Sequence, residues 1–215
     1  MKIFKNREEA GKLLSYKLKK YQEDDSLVYA IPNGGVLVGK EIAKNLKIPL
    51  KLIIVRKIQF PWNTEAGFGA CSPSGCLILN EEMIIDFGLS KNEIEEQKRK
   101  TQIILKERIK KYKIKEEKSL EGKIVILTDD GLATGYTMIV ACREIRKKFP
   151  KKLVVAVPCA SREAYEKVGE ECDEIISLNV KTGYPFAVAD FYKNWYDVSD
   201  EEVLKFTNLS KWKLE

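Results

Sequence analysis

The sequence predicts an α/β fold, a parallel sheet flanked by helices. Three observations carry that expectation. Short apolar runs of strand length recur along the chain, and amphipathic stretches of helical period separate them. The turns that follow several of these runs are rich in Gly, Asp and Thr, as strand-to-helix turns are. The chain has 215 residues, 44% of them hydrophobic and 33% charged, with no low-complexity tract, which suffices for a packed core without staples.

In chain order, residues 7–21 read as an amphipathic helix. Asn6 and Glu9 make a capping pair, and Ala10, Leu13, Leu14 and Leu18 share a face. Residues 27–31 are a buried strand that runs into the turn Pro32-Asn33-Gly34-Gly35, and residues 36–46 follow as a helix. A second apolar strand is expected over 50–56, ending on Arg56-Lys57. Residues 67–70 and 76–79 flank Ser72-Pro73-Ser74-Gly75, a hairpin signature. Residues 91–118 read as a charged, partly exposed helix, weakly tied to the core, with Ile94, Ile104, Leu105, Ile109 and Tyr112 at helical intervals. Residues 123–128 (KIVILT) form the third strand, and 136–148 a helix with Met138, Cys142, Ile145 and Phe149 facing inward. A fourth strand over 153–157, a helix near 161–168, a fifth strand over 174–178 and a last helix from Asp200 complete the order. The expected organisation is one domain over 1–215, with a hairpin segment about 58–80, a charged helical insertion about 90–118 and an aromatic-rich C-terminal segment about 180–215.

Composition excludes several function classes. Apolar runs stop at four to six residues, too short for a transmembrane helix of about 20, and the N-terminus meets charge too soon for a signal peptide. Histidine is absent, which removes Ser-His-Asp triads, Cys-His pairs and His-ligated zinc. Five cysteines, an odd number, suit reduced thiols and a reducing cytoplasm. The net charge of +6 is uneven: residues 160–215 hold 7 basic and 12 acidic side chains, so the first three quarters of the chain are strongly basic and suited to an anionic ligand. No RNP, zinc-finger or basic-zipper pattern is present, so no nucleic-acid partner is expected.

The most informative string is Val125-Ile126-Leu127-Thr128-Asp129-Asp130-Gly131-Leu132-Ala133-Thr134-Gly135-Tyr136-Thr137. A strand delivers two carboxylates to its carboxyl end, and a Thr/Gly turn then opens a helix. The N–H groups and dipole at that helix start favour an anion, while the carboxylates favour hydroxyls or a metal. A phosphorylated sugar offers both. Neither GxxxxGK[ST] nor a strand-borne GxGxxG occurs, against a P-loop or a dinucleotide site.

The string resembles the 5-phosphoribosyl-1-pyrophosphate (PRPP) loop of type I phosphoribosyltransferases, departing from it at Thr128 and Gly131. The resemblance implies that Asp129 and Asp130 hold the ribose hydroxyls, directly or through water bound to Mg²⁺. It implies that Gly131, Ala133, Thr134, Gly135, Tyr136 and Thr137 complete the ribose and 5-phosphate site. Pro32-Asn33-Gly34-Gly35 is similar to the pyrophosphate loop, and Arg56-Lys57 to the cationic strand end that faces the same pyrophosphate. A subgroup of predicted phosphoribosyltransferases of unassigned substrate shares the proline and paired glycines of that turn, Arg56-Lys57, the segment Asn63-Thr64-Glu65-Ala66-Gly67-Phe68-Gly69-Ala70 and Trp195-Tyr196. Relatives often carry arginine where this chain has Asn33, and 6-oxopurine enzymes an aspartate where it has Ala133.

The implied activity is transfer of 5-phosphoribosyl to a nitrogenous acceptor with release of pyrophosphate, Mg²⁺ being the cofactor and a homodimer a possible assembly. The resemblance also implies that the segment about 58–80 is a flexible hairpin flap and the segment about 180–215 a small C-terminal hood. Asp129, Asp130 and Glu65 are the candidate catalytic residues, Glu65 as a general acid or base on the flap. Tyr184, Phe186, Phe191, Tyr192, Trp195 and Tyr196 form an aromatic hood, and Phe191, Trp195 and Tyr196 are its candidates for stacking on a flat acceptor. Two other readings stay open: a PRPP-sensing regulator on the same fold, nucleic-acid-binding or not, and a sugar-phosphate hydrolase.

Overall fold

The structure, a computed structural model, describes residues 3–115, 117–183 and 185–208, without the side chains of residues 64, 65, 207 and 208. The chain opens with α1 (Arg7–Lys17), whose N-cap Asn6 accepts the Glu9 N–H at 3.0 Å while the Glu9 carboxylate accepts the Lys5 N–H. Then come β1 (Ser26–Ala30), α2 (Gly35–Leu46) and β2 (Leu50–Leu52). A second group follows: β3 (Arg56–Phe60), β4 (Asn63–Cys71), β5 (Leu77–Leu79), α3 (Glu81–Asp86) and α4 (Lys91–Lys111). The chain returns through β6 (Ile124–Thr128), α5 (Tyr136–Arg146), β7 (Lys152–Ser161), α6 (Arg162–Gly169), β8 (Glu174–Lys181) and α7 (Asp200–Asn208). Among the described residues no helix is long and apolar enough to cross a membrane.

The central sheet is parallel throughout, in the order β2-β1-β6-β7-β8. Its three central strands, β1, β6 and β7, are buried on both faces, as strands covered on both sides are. Leu27, Tyr29, Val125, Leu127, Leu153 and Val155 pack against α5 and α6. Their neighbours Val28, Ile126 and Val154 point the opposite way, toward α1 and α2. From β1 the chain moves outward to β2, then crosses back to add β6 on the other side. The carboxyl ends of β1 and β6 therefore flank the topological switch point, where open α/β sheets bind ligands.

Four sequence expectations need correction. The apolar run 50–56 is not one strand: β2 ends at Leu52, and Arg56 begins β3 of a separate antiparallel sheet, β3-β4-β5. Ile53, Ile54 and Val55 are buried across the handover, so hydropathy does not mark it. Phe149 does not face inward; it lies beyond α5 with φ +56 and is 76% exposed. Leu13 is also exposed, whereas Ala10, Leu14 and Leu18 form the buried face of the first helix. The charged helix α4 is seated more firmly than its composition suggests. Leu105 and Tyr112 are buried in a cluster with Ile58, Phe60 and Phe68 of the second sheet.

The segment expected to be a hairpin flap is this second sheet. Its 72–76 turn is docked on the main body, with Ser72 and Ser74 hydroxyls donating to Glu144 of α5 at 3.1 and 2.7 Å.

Candidate active site

The turn after β6 is shaped by what surrounds it. Thr128 is fully buried, and its hydroxyl donates to the Ala156 carbonyl at 2.7 Å, so a polar residue inside the sheet is satisfied. A Cβ at Gly131 would approach Cys159 Sγ to 2.8 Å and Val188 to 2.7 Å, which explains glycine there. The long β7 pins the loop: Leu132 N–H donates to Cys159, Ser161 N–H to Leu132, and the Ser161 hydroxyl to Ala133. Gly135 caps α5 and brings no side chain to it. Among the described residues the N–H groups of Tyr136, Thr137 and Met138 have no acceptor, the Ile139 N–H being the first to find one, on Gly135. Such a helix start offers donors and a positive dipole end to an anion. Ala133 and Thr134 are exposed beside it.

The turn after β1 packs directly on the acidic pair. A Cβ at Gly34 would stand 2.0 Å from Asp130 Oδ2, and one at Gly35 would stand 2.8 Å from Asp129 Cα. Glycine is required because the two loops touch. The Pro32–Asn33 peptide bond is cis. The N–H groups of Gly34 and Gly35 have no acceptor among the described residues. The Asn33 side chain is turned elsewhere: its amide donates to the Val198 carbonyl at 2.8 Å and to Asp200 at 3.0 Å.

A cavity of about 170 Å³ opens between these loops. Ile31, Pro32, Val55, Arg56, Lys57, Gln59, Arg108, Asp129 and Thr137 line it. A larger cavity of about 350 Å³ lies away from both loops, between β2, α5 and the end of α4. Its size does not make it the site, because none of the acidic or glycine-turn residues reaches it. The smaller cavity unites the turn after β1, the start of β3 and the acidic end of β6.

The two aspartates differ. Asp129 lines the cavity, and its Oδ1 accepts the Asp130 N–H at 2.8 Å. Asp130 is taken up by Arg7 of α1, whose Nε donates to Oδ2 at 2.8 Å. Arg7 is 3% exposed; its guanidinium lies 3.8 Å from the Trp195 ring centroid and donates to the Tyr196 carbonyl at 2.8 Å. The Tyr192 hydroxyl donates to the Asp130 carbonyl at 2.6 Å. Burial, and then the neighbouring Asp130 charge, push the Asp129 carboxyl well above the usual carboxylate range. Burial pushes Asp130 upward too, and Arg7 opposes it.

The oxygen donors suit a hard cation in part. Among the described residues no three His, Cys, Asp or Glu side chains converge. Asp129 fits an Mg²⁺ that keeps water and substrate oxygens as its remaining ligands, whereas Asp130 is committed to Arg7.

Of the other expected residues, Phe191 is buried with Phe4, Tyr192 and Cys159 in a small cluster, and Trp195 and Tyr196 are exposed. Tyr184 and the Glu65 side chain lie outside the described residues. Arg7 and Arg108 escape sequence reading altogether. Arg7 sits 123 residues from its partner, in a first helical turn where acidic residues are the norm. Arg108 is one cation among many on a lysine-rich helix.

A family model for the phosphoribosyl transferase domain matches residues 2–191. This chain belongs to that family. It is 33% identical over 207 residues to two Mycobacterium tuberculosis proteins, both named "putative phosphoribosyl transferase". The match covers 96% of this chain and 46% of theirs, so the chain spans about half the length of these curated relatives. The crystal structure of TT1426 from Thermus thermophilus superimposes with a TM-score of 0.74 at 31% identity, covering 96% of this chain and 98% of that one. The parallel sheet with helices on both faces is thus that of a phosphoribosyl transferase domain. Trp195, Tyr196 and Asp200 lie beyond the matched segment.

Proposed function

We propose that this phosphoribosyl transferase domain moves the 5-phosphoribosyl group of PRPP to a nitrogenous acceptor of the nucleobase class and releases pyrophosphate. The observation that carries the reading is the cavity at the switch point, where Pro32, Arg56, Lys57, Asp129 and Thr137 converge. The open N–H groups at the start of α5 suit the 5-phosphate, and Asp129 suits the ribose hydroxyls. In the reaction the acceptor nitrogen forms a bond to ribose C1 while the C1–oxygen bond breaks. Pyrophosphate leaves with the bonding electrons, and the acceptor loses its proton, with Glu65 as the proposed proton carrier. Positive charge grows on the ribose beside the aspartates. Negative charge grows on the leaving group beside Arg56, Lys57 and the Gly34 and Gly35 amides, so each charge meets fixed opposite charge or dipoles. Asp129 would hold Mg²⁺, directly or through water, and the bound ion would supply neutralisation of the pyrophosphate charge.

The test is incubation with PRPP, Mg²⁺ and a panel of purine, pyrimidine and other nitrogen acceptors while pyrophosphate is followed. Release that depends on one acceptor is expected; no release with any acceptor would sink the enzyme reading. A second reading, a PRPP-sensing regulator, draws on the Arg7–Asp130 ion pair, which occupies one of the two acids otherwise available to ribose. It predicts PRPP binding without turnover.

A further inference from the structure

The inserted helix α4 contributes a charged group to the site. Arg108, from its last turn, lines the same cavity as Arg56 and Lys57. No carboxylate among the described residues forms an ion pair with Arg56 or Arg108, although α4 forms such pairs elsewhere, through Lys98, Lys100 and Lys111. Among the described residues Arg56 Nη2 donates to Gln59 Oε1 at 3.4 Å, a long contact. Burial first, and then the charge of Arg108, lower the Arg56 pKa, so the two guanidinium groups feel one another. Like charges held together in a half-buried pocket oppose folding unless an anion joins them.

Arg108 is also held in place. Tyr112, one turn later on the same helix face, donates its hydroxyl to Asp200, and Lys111 pairs with Asp200 at 2.6 Å. Asp200 and Val198 in turn accept from the Asn33 amide, in the turn whose Pro32 lines the cavity. A clasp of Asn33, Tyr112 and Asp200 thus fastens the helix bearing Arg108 to the loop bearing Gly34 and Gly35. The loop itself brings no cation.

We propose that Arg108 binds the pyrophosphate half of PRPP together with Arg56, which makes α4 part of the substrate site. The inference rests on the phosphoribosyl-transfer reading and names the residue that reading lacks on the leaving-group side. Two planar guanidinium forks match the paired oxygens of a pyrophosphate better than a single carboxylate. The small cavity favours such a ligand over a polymer.

The test is calorimetric titration of the full chain with inorganic pyrophosphate and, separately, with ribose 5-phosphate, for the wild type, Arg108→Gln and Arg108→Lys. Arg108→Gln is expected to weaken pyrophosphate binding by about 10- to 100-fold, the loss of one charge-assisted contact, and to leave ribose 5-phosphate within about twofold. Arg108→Lys keeps the charge without the fork and falls between. Unchanged pyrophosphate affinity in Arg108→Gln, equal loss of both ligands, or no pyrophosphate binding by the wild type would each overturn the proposal. If Arg108→Gln proves unstable in a thermal melt, Arg108→Lys alone decides by the same comparison. Acceptor-dependent pyrophosphate release by the wild type is a separate readout, so this inference can fail while the transferase reading stands.

Discussion

Asp129 and Asp130 are adjacent and chemically identical, yet Arg7 makes them unequal. Removing the charge of Asp130 would strand a buried guanidinium, a change that costs about 3–5 kcal/mol, whereas among the described residues Asp129 forms no ion pair that its loss would break. For a chain of this size each kcal/mol shifts the melting temperature by about 2–4 °C. Asp130→Asn is therefore expected to melt about 6–20 °C below the wild type, and Asp129→Asn within a few degrees of it. Adding Arg7→Met to Asp130→Asn should recover a large part of the loss, because no unpaired charge is then buried. Equal melting of the two single variants would contradict the assignment of Arg7. Asp129→Asn is expected to lose PRPP binding while melting near the wild type, so the melt and the titration separate folding from function. Gly34 belongs to the same small system, since any side chain there would collide with the Asp130 carboxylate.

At the scale of elements, α4 and α7 meet the β1–α2 turn through one carboxylate. Burial alone would raise the pKa of Asp200, but hydrogen bonds from Lys111, Tyr112 and Asn33 outweigh it and bring it down to about 2. A carboxyl depressed in the folded state adds stability that is fully present above its unfolded value near 3.9 and is lost as pH falls toward 2. After solvent screening the contribution is roughly 1–2 kcal/mol. Urea melts of Asp200→Asn against the wild type should show that gap at pH 7 and its closure near pH 2; a gap independent of pH would contradict the clasp. The central elements were legible because β1, β6 and β7 are buried on both faces and so read as apolar runs, while helical spacing marked α1, α2, α5 and α6. The β2–β3 handover was not legible, since Ile53, Ile54 and Val55 stay buried while the chain changes sheets. The acidic turn and glycine turn could be read because each is a contiguous string whose residue types suit phosphate and hydroxyl chemistry. Arg7, Arg108 and the Asp200 clasp could not, because each acquires its role from a partner far away in sequence.

For the whole molecule, the two chain ends close over the switch point from one side and the inserted sheet and helix from another. Arg7 of α1 and Trp195 stack above the acidic pair, while α4 and α7 share Asp200 beside the cation-lined cavity. The charge asymmetry of the sequence has a local counterpart here: the cavity's cations come from the basic first three quarters, and Asp200 from the acidic remainder. The account as a whole requires one small anionic sugar to span Asp129, the start of α5 and the Arg56–Arg108 pair at once. The most direct measurement is a crystal structure of the chain grown with PRPP and Mg²⁺. The account predicts the 5-phosphate on the N–H groups of residues 136–138, the ribose hydroxyls at Asp129 and the pyrophosphate between Arg56 and Arg108. PRPP bound elsewhere, or that cavity left empty at saturating PRPP, would contradict it.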